Sequence, residues 1–193
     1  AIQPRASDAA KYFDSIKSRM SDLGRDPDTC KILFGMQPII GSSEAEALER
    51  QDEHNSLVPL DGGMAILSAH LDFDLSSIPP DALMTEREEP ELYRMRTRFR
   101  KIDGAPMTVS EVAARHGQSV GLPQFVGTPT SIVDQMQAFI DEVGGDGFML
   151  TAIHSPGAIE DFVQLVVPEL QRRGMFRTEY KGTTQREILN QHD

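Results

Sequence analysis

The sequence predicts an α/β fold of the parallel kind, in which short apolar strands alternate with amphipathic helices. Three observations carry this. Phe125-Val126-Gly127-Thr128-Pro129 leads into an amphipathic helix, Asp146-Gly147-Phe148-Met149-Leu150 reads as a short strand, and a second amphipathic helix follows and ends at Arg173-Gly174. A short apolar strand with a helix on each side needs parallel neighbours, because such strands are buried on both faces and satisfy their backbone groups through adjacent ladders. The unit therefore reads as the end of a barrel or of a parallel sheet, and the 193 residues hold few of the neighbours it needs.

The elements follow in order along the chain. Ala1-Ile2-Gln3-Pro4 reads as the end of something extended. From Ser7, a good N-cap, Phe13, Ile16, Met20 and Leu23 recur at helical spacing, and Gly24 supplies a C-terminal stop. After the turn-like Arg25-Asp26-Pro27-Asp28, the apolar run Ile32 to Met36 and on through Ile39-Ile40 suits a buried strand. Ser43 and Glu46, spaced as a capping box, then open a helix. Between residues 57 and 124 the periodicity breaks down: Pro79-Pro80 interrupts it, Glu86 to Lys101 is charged, and only Thr108-Val109-Ser110-Glu111 signals a short helix. An irregular excursion of that length in an α/β unit is expected to be a lid or binding loop. Regularity returns at Thr128-Pro129, with proline preorganised for the first helical position. Ile132, Val133, Met136, Phe139, Ile140 and Val143 form one apolar face, and Gly144-Gly145 ends that helix. The last helix is marked by Ile159, Phe162, Val163, Val166 and Leu170, with Pro168 expected to kink it.

Composition narrows the function. A net charge of −11 and a pI near 4.9 oppose binding to phosphate backbones and anionic membrane surfaces, so neither nucleic acid nor membrane is an expected partner. The single Cys30 rules out an internal disulfide, nothing resembles a signal peptide, and no apolar run is long enough to cross a bilayer. A cytoplasmic setting is the expectation. The length suits one domain, or part of a larger one.

No zinc-protease spacing, Walker loop or nucleophile elbow is present, and no metal site is expected. Gly144-Gly145-Asp146-Gly147 precedes a strand, whereas a phosphate cradle follows a strand and opens a helix, so it reads as a plain turn. Arg94, Arg96, Arg98, Arg100 and Lys101 are balanced by Glu86, Glu88, Glu89 and Glu91 just upstream, which suits a solvated surface segment. Cys30, beside a buried strand, reads as a small apolar group. His154 follows a strand on the side where barrel active sites form, but among the ordinary turn residues Ser155-Pro156-Gly157. His70 lies in Leu67-Ser68-Ala69-His70-Leu71-Asp72-Phe73, inside the excursion, where apolar neighbours can hold an imidazole in a dry pocket that sets its pKa and tautomer. The same residue also reads as a capped or core histidine.

These residues resemble the flavin-dependent two-component monooxygenases of the bacterial-luciferase-like superfamily, in the branch of the nitrilotriacetate and dibenzothiophene-sulfone monooxygenases. The resemblance rests on Gly24 to Asp28, Pro38-Ile39-Ile40-Gly41-Ser42, Asn55-Ser56-Leu57, Ser68-Ala69-His70 and Val120-Gly121. It is densest in Val126-Gly127-Thr128, Asp146-Gly147-Phe148, Asp161 to Gly174, and Phe176 to Tyr180 with Gly182-Thr183-Thr184. It implies the C-terminal portion of a (β/α)8 TIM barrel: the end of strand six at Ala1–Pro4, strands seven and eight with their helices, and a long insertion or lid after strand seven at 57–124. The whole of 1–193 is then part of one barrel domain.

By the same resemblance the protein is an FMN-dependent monooxygenase that uses reduced FMN and O2 to oxygenate a small organic substrate. The flavin is supplied by a separate NAD(P)H:flavin reductase. The partners implied are the N-terminal half of the same barrel, that reductase, the substrate and further copies of the protein. The chain alone is expected to be inactive. His70, as catalytic and substrate-binding residue, and Val120, as substrate-binding residue, match positions that line the family's pocket; no flavin-binding residue is carried over, because most of that site lies elsewhere in the barrel. The Arg94–Lys101 stretch departs from the family pattern. An apolar lid with one ionisable group suits chemistry that must exclude water. The alternative is a non-catalytic α/β interaction module or a truncated barrel fragment, with the acidic surface and lid mediating protein contacts.

Overall fold

The computed structural model describes residues 1–93, 100–101 and 103–189. In chain order its elements are α1 (Ala6–Asp22), β1 (Leu33–Ile40), α2 (Glu44–Ser56), α3 (Leu60–Leu71), α4 (Pro90–Tyr93), α5 (Val109–Ser119), β2 (Gln124–Gly127), α6 (Pro129–Val143), β3 (Gly147–Leu150), α7 (Gly157–Asp161), α8 (Val167–Arg172) and α9 (Gln185–Leu189). They form two compact units, Ala1–Gln51 with Leu122–Asp193, and Asp52–Gly121.

In the first unit β1 is the centre of a parallel sheet of order β2-β1-β3. Gln37–Ile40 pair with Gln124–Gly127, and Leu33–Met36 pair with Gly147–Leu150, so the two neighbours take different halves of the central strand. Backbone groups of alternate residues point to opposite edges of a strand. Gln37 N–H donates to the Pro123 carbonyl on the β2 edge, and the odd-numbered Leu33 and Gly35 use that same edge to bind Ala1, whose amino group donates to Leu33 O at 2.6 Å and whose carbonyl accepts from Gly35 N–H at 2.8 Å. Ala1 therefore docks along β1 as strand backbone would.

All but the first residue of β1 are buried, as a central parallel strand requires. Phe34, Met36 and Ile40 point into a core shared with Ala9 of α1, the apolar face of α6, and Phe162, Val166 and Leu170 near the C-terminus. The rings of Phe34 and Phe139 meet edge to face at 5.6 Å. Gly35, Gln37 and Ile39 alternate to the other face, where a Cβ on Gly35 would collide with the Leu122 side chain.

The ends of these helices follow the sequence with three differences. α6 starts as expected, with Thr128 Oγ1 accepting from Ser131 N–H at 3.3 Å and Pro129 in the first turn, and it stops at the left-handed Gly144. α1 begins two residues earlier than Ser7 implies, at an N-cap Arg5 with no side-chain cap, while Gly24 stops it at φ +70°. In α2 Ser43 accepts the Glu46 N–H, but the Glu46 carboxylate turns back to Ser42 instead, taking its N–H at 2.8 Å and its hydroxyl. Pro168 does not simply bend the last helix. A wide π-helical turn over Phe162–Val166 separates α7 from α8, which accommodates the missing proline N–H.

The second unit corrects the reading of 57–124 as irregular. It holds α3, α4 and α5 and its own core, built from Leu67, Leu71, Leu75, Met84, Leu92, Val109 and Val112. α5 opens with a full capping box: Thr108 Oγ1 accepts from Glu111 N–H at 3.2 Å and Glu111 accepts from Thr108 N–H at 2.9 Å. α3 and α5 pack closely because glycines meet between them. A Cβ on Gly63 would strike the Ala113 carbonyl, and one on Gly117 would come within 3.1 Å of the Gly63 Cα.

Candidate active site

His70 and Val120 both belong to the second unit, each at the end of a helix. His70 is in the last turn of α3 and Val120 is the left-handed C-cap of α5. α3 and α5 pack at close distance, with Gly63 in the first turn of α3 against Gly117 in the last turn of α5. That distance brings a second histidine to His70. Nδ1 of His70 and Nε2 of His116 share a hydrogen bond of 2.8 Å, with the two rings edge to face at 85°.

The buried ring of the pair is His116, not the His70 for which the sequence predicts a dry pocket. His70 is exposed, while His116 is 9% exposed. Burial, and then the facing His70 ring, push the His116 pKa down to about 4, so near neutral pH this imidazole is uncharged. Among the described residues, the Nε2 of His70 makes no hydrogen bond, which leaves one ring nitrogen open to a ligand. His116 carried no cue in the sequence. The only signal that could have found it was its place in the last turn of a helix with an explicit N-terminal cap, Thr108-x-x-Glu111, which fixes the phase of the residues that follow.

Asp72 and Val120, the C-caps of the two histidine-bearing helices, are also the described non-glycine residues with positive φ, at 54° and 55°. For the β-branched Val120 this conformation is strained, and such strain persists only where the surroundings over-determine it.

The remaining candidates do not join this pair. His154 is exposed in the turn before α7. Cys30 is a half-buried free thiol. Arg94, Arg96 and Arg98 lie outside the described residues, Arg100 donates to the Gly104 carbonyl at 2.8 Å, and Lys101 pairs with Glu111 at 2.8 Å. The Gly144–Gly147 turn serves the fold: Asp146 accepts the Ile32 N–H at 2.8 Å and faces Lys17 and Lys31 at 3.3 and 3.5 Å. Among the described residues no cluster of three metal-ligating side chains occurs.

For FMN the fit is one-sided. The N-terminus of α6, where barrels often hold a phosphate, is filled by the chain's own Glu44, which accepts from Thr128 N–H at 3.2 Å and from its hydroxyl at 3.1 Å. The Thr128 N–H, then the Ser131 hydroxyl, hold the Glu44 carboxyl below the usual carboxylate range. These residues do not fit a flavin phosphate.

No protein-family model matches the chain. It is 35% identical to dibenzothiophene-sulfone monooxygenase of Rhodococcus erythropolis over 98% of its own length and 43% of that protein's. It is 33% identical to nitrilotriacetate monooxygenase component A of Aminobacter aminovorans, over 97% of its length and 42% of the relative's. The crystal structure of DmoA from Hyphomicrobium sulfonivorans superposes with a TM-score of 0.85 at 26% identity, covering 98% of this chain and 40% of that one. Long-chain alkane monooxygenase LadA superposes at 0.75 with 30% identity, over 96% and 38%. The chain spans less than half the length of the relatives it matches. It belongs to the luciferase-like flavin-dependent monooxygenases, in the branch of the dibenzothiophene-sulfone and nitrilotriacetate enzymes, and its partial parallel sheet is the C-terminal portion of their TIM barrel.

Proposed function

We propose that the protein to which this chain belongs is a two-component monooxygenase that oxygenates a small organic substrate with O2 and reduced FMN delivered by a separate NAD(P)H:flavin reductase. The observation that carries this reading is the match along 98% of the chain to a monooxygenase at 35% identity. The term "component A" in the nitrilotriacetate enzyme's name supports a second component here. When bound, the flavin supplies the activation of oxygen. This chain's part is on the substrate side: His70 Nε2 hydrogen-bonds the substrate or exchanges a proton with it, and Val120 limits the space beside it.

The flavin phosphate is then held by the N-terminal half of the barrel, and the chain by itself is inactive. The setting is cytoplasmic and the assembly contains several copies. The test is oxygen consumption by the intact enzyme, supplied with FMN, NAD(P)H and a flavin reductase, across a panel of aminopolycarboxylates, aromatic sulfones, alkyl sulfides and alkanes. Substrate-dependent hydroxylated or desulfurised product supports the reading; oxygen uptake that no panel member changes, with no product, overturns it. His70→Ala is expected to lower turnover by about 10²- to 10⁴-fold, the usual span for loss of a proton-transfer group.

A further inference from the structure

We propose that His116 is the positioning residue of this site: its Nε2 accepts the Nδ1–H of His70, and so presents the Nε2 of His70 outward as an open proton acceptor. The inference rests on the reading of His70 given above, and it adds a residue and a direction of hydrogen bonding to it.

Three structural facts support the pairing. The Nδ1···Nε2 separation of 2.8 Å is a full hydrogen bond, and one ring meets the edge of the other at 85°. The helices that carry the rings are held together by the Gly63–Gly117 approach, which leaves no room for a side chain to wedge them apart. Each helix is closed by a left-handed residue, Asp72 after α3 and Val120 after α5, which fixes where each histidine-bearing helix stops.

The direction follows from proton bookkeeping. A neutral imidazole donates through one nitrogen and accepts through the other. If His70 takes a proton from substrate at Nε2, both of its nitrogens carry hydrogen, and Nδ1–H must point at a lone pair. His116 provides that lone pair only when its own proton is on Nδ1. In the opposite arrangement His116 Nε2–H donates to His70 Nδ1, so His70 already carries its proton on Nε2 and can take none from substrate there until both rings change tautomer. An arrangement that needs no such rearrangement is the one suited to a base. His116 can hold it because its burial keeps it uncharged. The transferred proton stays on His70, its charge stabilised by a hydrogen bond to a neutral acceptor, and no electrons or further reactants are involved.

The test is the ring ¹⁵N spectrum of the intact enzyme labelled at histidine, together with steady-state turnover. The wild type is expected to show His70 protonated at Nδ1 and His116 protonated at Nδ1. His116→Phe, which fills the same space without an acceptor, is expected to give His70 a mixed population that includes the Nε2–H form. It should lower kcat on the order of 10- to 100-fold, with a small change in KM, the scale seen when the orienting partner of a functional histidine is removed. His116→Gln, whose side-chain oxygen can accept in place of Nε2, should restore most of both. A wild-type spectrum with His70 protonated only at Nε2 overturns the inference without any variant, as does an unchanged His70 tautomer in His116→Phe. If the tautomer shifts as expected while His70→Ala leaves turnover intact, the positioning bond stands and the catalytic reading of His70 falls.

Discussion

At the scale of single residues, the two histidines differ in what they cost to bury. The pKa of His116 is held down to about 4, below an ordinary imidazole, chiefly by desolvation. Its folded pKa of about 4 lies below the unfolded value near 6.5, so the unfolded chain binds the extra proton first and stability is fully present above that value. It is lost as pH falls from about 6.5 towards 4. Urea denaturation between pH 4 and 8 should show this slope, and His116→Phe should flatten it; an unaltered slope would mean that other groups cause it. Asp146 is a structural counterpart. Its carboxylate accepts the Ile32 N–H just before β1 and faces two lysines that are 13% and 14% exposed. Asp146→Ala removes the carboxylate both lysines face, although Lys17 keeps the Pro27 and Cys30 carbonyls, and should cost about 1–3 kcal/mol in thermal or chemical unfolding, with Asp146→Asn milder because it keeps the backbone hydrogen bond. The sequence marked this residue only as part of a turn, since no local pattern says that residues 17 and 31 will meet it.

Among the elements, legibility depended on how each buries its apolar face. α6 and β1 were plain in the sequence because one packs a single stripe and the other is buried on both sides, and both patterns survive in the residue order. α3 was not legible. Leu60–Leu71 is apolar around most of its circumference and begins with Gly62-Gly63, which lower helix propensity and so read as a break. In the structure Gly63 is what lets α5 approach. Gly63→Ala and Gly117→Ala should each destabilise the protein by about 1–3 kcal/mol, as overpacked substitutions do, and each should weaken the His70–His116 bond by moving α3 from α5. Thermal melts check the first effect and the His70 ring ¹⁵N shifts check the second. Equal stability of Gly117→Ala and wild type would show that the helices can separate without cost. Thr108→Ala, which removes the cap of α5, should cost about 1 kcal/mol.

At the scale of the whole molecule, among the described residues the sheet has three strands and β3 lies at its edge. Met149 on that strand is 58% exposed, and Val163 and Leu165 nearby in sequence are also exposed. A parallel strand with a bare edge and an uncovered apolar side chain is a template for association. The chain produced on its own should therefore self-associate in sedimentation experiments, and co-production with the preceding strands of the barrel should replace those aggregates with a defined complex. Met149→Lys should reduce self-association of the isolated chain and also weaken that complex. A stable monomer of the isolated wild-type chain would argue against a barrel partner at this edge.

The residue order by itself determined the alternation of apolar strands and amphipathic helices in the first unit, most of their caps, and the family, because periodicity, turn chemistry and local motifs are written over a few adjacent positions. Tertiary structure alone decided that 52–121 is a packed helical unit, that Asp146 closes on two lysines, and that His70 meets His116. The two histidines are 46 residues apart in sequence. What joins them is the close approach of two helices at glycines, a contact whose energy comes from packing rather than from any local preference of the chain.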